Sequence, residues 1–399
     1  MSHFAVLVVG DDVEGQLQRY HEFECTGQDD QYVKEIDETE EARKTFEKNT
    51  TRRYRDPEGN LHSPYTPEGS HSPLFWRELT PEEETKYGKR ISSSEGDDGL
   101  RLESTDWHDG RGYRTKAFAW PSDGWSEVEV PTSTVQTFAE FCADYYGHEA
   151  IPFGTEPDLA EKHKYGYTIV DEQDNVIRTI NRTNPDRKWD GYTVGGRWNG
   201  FFKLKPLAVG VLGEPGLQVM NSNYEPVAEN RADVIMKGDI DVEGMRDEAG
   251  EKAAERYDIF ERVTAGLPQA LSWKQVQENN RTGKMDEEYP GEPEVDWKTA
   301  REDYNSQPMV KALRADKETI WYELDEFLYT REEYIQQHRD RALVLFAVVK
   351  DGVWYERGRM GWWGMVSDEK DRDEWNRQFS ALIDGLPDNT LLSVVDCHI

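Results

Sequence analysis

Cysteine is scarce in this chain of 399 residues: Cys25, Cys142 and Cys397 are the only three, widely spaced and odd in number. They form no Cys-x-x-Cys pair and no disulfide framework, which points to a reducing compartment. Long apolar runs are missing as well. No stretch approaches the roughly 18 residues of a membrane-spanning helix. The start, MSHFAVLVVGDD, has neither the basic leader nor the small-residue cleavage site of a signal peptide. The expectation is a cytoplasmic protein without a membrane partner.

Positive charge is the third shortage. Lys and Arg number 48 against 80 Asp and Glu, for a formal net charge of -32. A phosphate backbone is gripped by Lys and Arg that displace its counterions, so direct nucleic-acid binding is excluded as a general activity, and anionic membrane surfaces with it. Acidity fits solubility, a basic protein partner or mimicry of nucleic acid. Catalytic signatures are absent too: no GxSxG, Walker A, HExxH or CxxC framework occurs, and the glycine-rich PLAVGVLGEPG lacks the Lys-Ser/Thr ending of a phosphate loop. No cofactor is called for.

Aromatic residues, by contrast, are plentiful. The mean hydropathy of -0.89 would suit a disordered chain. Yet 13 Trp, 19 Tyr and 14 Phe supply large apolar surfaces that need burial or a partner. A folded protein with long polar connections follows.

The pattern along the chain predicts an α+β fold. FAVLVV, stopped by GDD, reads as a buried strand. STVQTFAEFCADYYG reads as an amphipathic helix ended by Gly147, and KYGYTIVDEQDNVIRTINRTN as a hairpin turning at DEQDN. RWNGFFKLK should add a strand. MRDEAGEKAAERYDIFERVTAG and KETIWYELDEFLYTREEYIQQHRDRA read as helices separated by the acidic linker GKMDEEYPGEPEVD. Near the end ALVLFAVV, VWYERGRM, DRDEWNRQFSALIDGL and TLLSVVDCHI read as strand, strand, helix, strand. With FAVLVV beside the last of these, both chain ends would form a ferredoxin-like, split βαβ unit in a mixed or antiparallel sheet. The regions are then 1–26 with 341–399 as that unit, 27–99 as a polar loop-rich segment, 100–215 as a β-rich region and 216–340 as mainly helical.

Three segments combine glycine, arginine and aromatic residues. TDWHDGRGYRTK holds Trp107, His108, Arg111, Tyr113 and Arg114; KWDGYTVGGRWNGFFKLK holds Trp189, Tyr192, Gly195, Gly196, Arg197 and Trp198; WYERGRMGWWG holds Trp354, Arg357, Arg359, Trp362 and Trp363. Aromatic faces stack on a nucleobase, arginine forks grip phosphate, and glycine lets backbone N–H groups approach an anion. The expected pocket takes a small nucleotide-like ligand and is lined by Arg111, Tyr113, Tyr192, Arg197 and Trp198, with Arg359 and Trp362 next. The same residues also suit tight strand turns, with arginine stacked across indole or paired to Asp190.

Other candidates are sparser. His3, His398, Cys397 and Asp396 would converge if the terminal strands pair, offering ligand types for zinc, although no recognised metal spacing is present. His108 with Asp106 and Asp109, or His163 between two lysines, could serve as acid–base groups or stand as surface residues. Acid runs such as DETEEARKTFE and DEEYPGEPEVD read as solvated faces, or as carboxylates presented in the manner of DNA phosphates.

MSHFAVLVVG, YHEFECTGQDDQYV, DWHDGRGYRTK, KWDGYTVGGRWNGFFKLK, GRMGWWGMVSDEKD and LPDNTLLSVVDCHI together resemble a family of phage and prophage proteins over nearly the whole chain. Gly191 departs from the family pattern, which carries an aromatic there. The resemblance implies a bacteriophage accessory protein acting in the host cytoplasm, and it supplies no catalytic residues. The expected function is sequestration of a nucleotide-derived host immune signal. An acidic inhibitor or DNA mimic on a basic host protein, and a nucleotide-processing enzyme, remain the alternatives.

Overall fold

The computed structural model describes residues 2–64, 80–87, 94–95, 101–107, 113–118, 124–216, 227–285, 293–361 and 364–399, of which Glu84, Tyr87, 94–95, 101–107 and 113–118 by backbone alone. The fold is α+β, divided into two units: Met1–Tyr32 with Asn184–Ile399, and Val33–Thr183. The division thus falls inside both the region expected to be loop-rich and the region expected to be β-rich. No described helix is long and apolar enough to cross a membrane.

The first unit is built on an eight-stranded sheet: β1 (His3–Val9), β2 (Gly191–Gly196), β3 (Gly210–Val211), β4 (Glu214–Pro215), β5 (Val234–Met236), β6 (Ala347–Lys350), β7 (Val353–Glu356) and β8 (Leu391–His398). The order is β3-β5-β8-β1-β6-β7, with β2 pairing both β8 and β4. The chain ends pair as expected: β1 runs antiparallel to β8 from His3↔His398 to Val9↔Leu392, and parallel to β6 from Val6↔Ala347. Strands this central are covered on both faces, which is why β1 is apolar after His3. Phe4, Val6 and Val8 join Val349, Val395 and Cys397 on one face. Ala5, Leu7 and Val9 join Val348, Leu392 and Val394 on the other, under Trp375, Phe379 and Ile383. Those three lie on the helix Arg372–Asp384 at helical spacing.

The order is not that of a ferredoxin-like unit. β7 and β8, joined by that helix, run parallel as a split βαβ requires, but both β1 and β6 lie between them. A ferredoxin-like unit has one strand in the gap. Here a two-residue turn at Asp351 and Gly352, with φ +53° and +72°, makes the β6–β7 hairpin and sends β7 to the outer edge.

In the same unit the helix Val242–Thr264 buries Ala253, Tyr257 and Phe260 against Leu313, Phe327 and Tyr334. The stretch read as one helix from Lys317 is broken. Thr330 caps a separate helix, Arg331–Asp340: its side chain accepts from the Glu333 N–H while Glu333 reaches back to the Thr330 N–H. A reciprocal cap needs an extended residue at Thr330, so the chain cannot pass through it as helix. RWNGFFKLK contributes only the short strand Phe202–Lys203.

The second unit pairs Lys34–Asp37, Val176–Thr183, Gly166–Val170 and Ala150–Pro152 in that order. Its hairpin turns at the expected place, where the Asp171 carboxylate accepts from Gln173 and Asn175. The helix Phe138–Tyr146 starts at a Thr137–Glu140 capping box and ends at Gly147. Part of 27–99 is regular: helix Thr39–Lys48 is followed by strand Thr50–Arg55, paired with Ser126–Pro131.

Candidate functional site

Four separated segments meet at the end of the central sheet where β1 begins and β8 finishes. The strand register alone brings His3 and His398 together, with ring centroids 5.2 Å apart. β2 starts beside them, Gly191 opposite His398. Just before it, Asp190 donates its N–H to the His398 carbonyl at 2.9 Å, and Trp189 accepts from the Glu22 N–H at 2.6 Å. Asp190 is thereby held between the end of β8 and the short helix Phe23–Thr26, whose preceding residue is Glu22.

One ligand atom each from Glu22, Cys25 and Asp190 lie within 4.8 Å of one another. Burial raises the Glu22 carboxyl above its ordinary range, helped by Glu24 and opposed by Arg187. Cys25 is exposed, yet partial desolvation raises its thiol, and the charge of Glu22 adds to it. His398 turns its Nδ1 toward the Asp190 carboxylate. His3 Nδ1 lies 2.8 Å from Asp396, and since a carboxylate only accepts, that nitrogen carries the proton. Carboxylate, thiol and imidazole are the donor types of a borderline divalent cation such as zinc, and carboxylate-held histidines are the usual support of such sites.

The glycines beside the cluster have a structural cause. Gly195, Gly196 and Gly200 adopt φ of +82°, +53° and +77°. Two buried carboxylates fasten the loop they form. Asp396 accepts from the Arg197 N–H at 2.9 Å. Asp233 accepts from Asn199 Nδ2 at 2.6 Å, from the Gly200 N–H at 2.6 Å and from the Gly213 N–H at 2.8 Å. A Cβ on Gly196 would sit 2.3 Å from the Asp396 Cβ. At Gly191 a Cβ would sit 2.4 Å from His398 Nε2, so the imidazole lies over this glycine.

The residues expected to share a nucleotide pocket do not all come together. Tyr192 packs edge-on to Trp189 on one face of the sheet. Trp198 packs against the opposite face. Both rings serve the core because β2 alternates and then bends at its glycines. Arg197 is exposed beside Asp396 and has no ion pair among the described residues; Arg359 is likewise exposed and unpaired. In the third segment Trp354 packs on Phe4 and Tyr20, and Arg357 pairs with Glu369. Arg111, His108, Asp109, Trp362 and Trp363 lie outside the described residues, and Asp106, Trp107, Tyr113 and Arg114 are described by backbone alone.

Of the zinc candidates, His3, His398 and Asp396 converge but Cys397 does not. β8 alternates, so Cys397 points into the other face, fully buried, with its thiol pushed up by desolvation. His163 is buried and accepts from the Asp158 N–H at 2.9 Å, closing a turn. Sequence reasoning missed Glu22, Cys25 and Asp190. The Glu-x-x-Cys spacing in HEFEC was the available signal, since three residues apart on a helical turn places both on one side. Comparison with family models, curated proteins and solved structures finds no match.

Proposed function

We propose that the protein binds and sequesters a small nucleotide-derived molecule at this end of the sheet, through a divalent cation on Glu22, Cys25 and Asp190 and the guanidinium of Arg197. The convergence of Glu22, Cys25 and Asp190 from two separate segments carries the reading. Glu22, Asp190 and Asp396 alone would repel a phosphate. A cation held among thiolate and carboxylates offsets most of that charge and leaves coordination positions that phosphate oxygens can take directly. Arg197, exposed and without an ion pair among the described residues, follows the glycine loop that Asp396 fastens and would supply a bidentate donor for the phosphate. In a phage accessory protein, as the sequence resemblance implies, the ligand is a nucleotide signal of host immunity.

The test has two stages. Zinc titrated into chelator-dialysed protein should bind stoichiometrically, and Cys25→Ser or Asp190→Asn should weaken it by about tenfold or more. Zinc-loaded protein incubated with infected-cell extract, washed and heat-denatured should then release an intact nucleotide. Arg197→Ala should abolish that release while keeping the metal. A chemically altered nucleotide would replace sequestration with an enzyme. If neither metal nor nucleotide binds, the proposal fails.

The net charge of -32 favours a second reading, an acidic inhibitor of a basic host protein. Capture of such a partner would weaken steeply with salt.

A further inference from the structure

The helical part of the first unit contains a cavity of about 280 Å³. Its floor is apolar, made by Val310, Leu313 and Leu324, all buried. Its walls are the rings of Trp273, Tyr304 and Tyr322. Trp273 and Tyr304 meet edge to face at 5.3 Å. Tyr322 is braced from behind by Phe327, stacked at 5.2 Å, and by the Arg256 guanidinium at 4.6 Å. The walls are therefore fixed before any ligand arrives.

The polar groups divide into used and unused. Asp325 accepts from the Trp273 N–H at 2.9 Å and from the Tyr304 hydroxyl at 3.2 Å, so its charge is committed to the frame. Burial, and then that same carboxylate, hold Tyr304 as the neutral phenol. Arg314 and Glu323 also line the cavity, both exposed, and neither has an ion pair among the described residues. A cation and an anion thus stand at the rim of an aromatic slot without neutralising each other.

We infer that this cavity takes a nucleobase bearing a phosphate, a nucleoside monophosphate in size, with Arg314 on the phosphate and Glu323 accepting from a ring N–H. The apolar floor and aromatic walls suit a flat ring, which stacks without needing polar groups above or below it. A simple ammonium ion would face Arg314 and an apolar floor. An aliphatic chain would leave both rim charges idle. The volume lies just below the roughly 300–1,000 Å³ of drug-sized ligand sites, enough for one ring system and not for a dinucleotide. This site is separate from the cluster at the end of the sheet and does not rest on it.

The probes are AMP, GMP, CMP and UMP and their nucleosides, titrated calorimetrically into the full chain. At least one monophosphate should bind. Arg314→Ala should weaken it by about tenfold or more while leaving the nucleoside unchanged, as expected for loss of a charge-assisted contact. Glu323→Gln should weaken both. Each side chain is exposed, so folding should survive, which an unchanged melting temperature would confirm. The inference is overturned if no monophosphate binds at millimolar concentration, if Arg314→Ala leaves affinity unchanged, or if binding is lost in Arg197→Ala.

Discussion

Asp233 is the most consequential single side chain near the candidate site, and replacing it makes a sharp test. It is fully buried, has no ion pair among the described residues, and gathers Asn199, Gly200 and Gly213 around one carboxylate. Hydrogen bonds to a charged acceptor contribute about 1.5–3 kcal/mol each, so three short ones bound the gross loss at roughly 5–9 kcal/mol. Part of that returns as the freed loop donors reach water. The expected net cost of Asp233→Ala is therefore ~3–5 kcal/mol, in the range measured when a buried charged group loses its partners. Asp233→Asn keeps one acceptor oxygen and turns an NH2 toward donors, so it should fall between Ala and wild type. Equilibrium urea denaturation with linear extrapolation reads both, each of the two structural units being fitted with its own transition. Asn199→Ala in the same background should be non-additive by ~0.5–3 kcal/mol, because the two side chains share one bond. A loss below about 1 kcal/mol for Asp233→Ala would refute the claim that this carboxylate holds the glycine loop.

Two further outcomes follow from single positions. Gly196→Ala meets both a left-handed backbone at φ +53° and the Asp396 side chain, whereas Gly147→Ala meets φ +72° with nothing within 4 Å. Both carry a strain of ~1–2 kcal/mol, and only Gly196→Ala should add repacking of ~1–3 kcal/mol, read as the difference between their urea midpoints. His338 is held down to about 4 by burial and by Arg341, Arg256 and Arg372. Because the unfolded chain takes up that proton near 6.5 and the folded chain only near 4, stability should be complete above pH 6.5 and decline as pH falls toward 4. His338→Gln should flatten that part of the profile; an unchanged slope would remove His338 as its source.

The local pattern settled most elements. The apolar run of β1, the Asp171–Asn175 hairpin, the helix closed by Gly147 and the helix carrying Trp375, Phe379 and Ile383 were all legible, because periodicity and turn residues act within a few positions. So was the meeting of the chain ends, which followed from two strands too apolar to stand alone. The Thr330 break was also written in the sequence, as a Thr-x-x-Glu box, but the helical periodicity around it concealed the stop.

What tertiary structure alone decided is which side of the sheet each residue serves and what lies beside it. Tyr192 and Trp198 look like one aromatic pair in a motif, yet strand alternation and the glycine bend deliver them to opposite faces. Cys397 and His398 are adjacent in sequence and diverge for the same reason. Glu22 and Cys25 lie far from Asp190 along the chain and are joined to it only because the segment before β2 hydrogen-bonds to both His398 and Glu22. The slot between Trp273, Tyr304 and Tyr322 depends on helices whose mutual packing no local pattern specifies. Sequence periodicity encodes a residue's own environment to first order, buried or exposed. Which neighbours share that environment is fixed by long-range pairing, and chemistry depends on the neighbours.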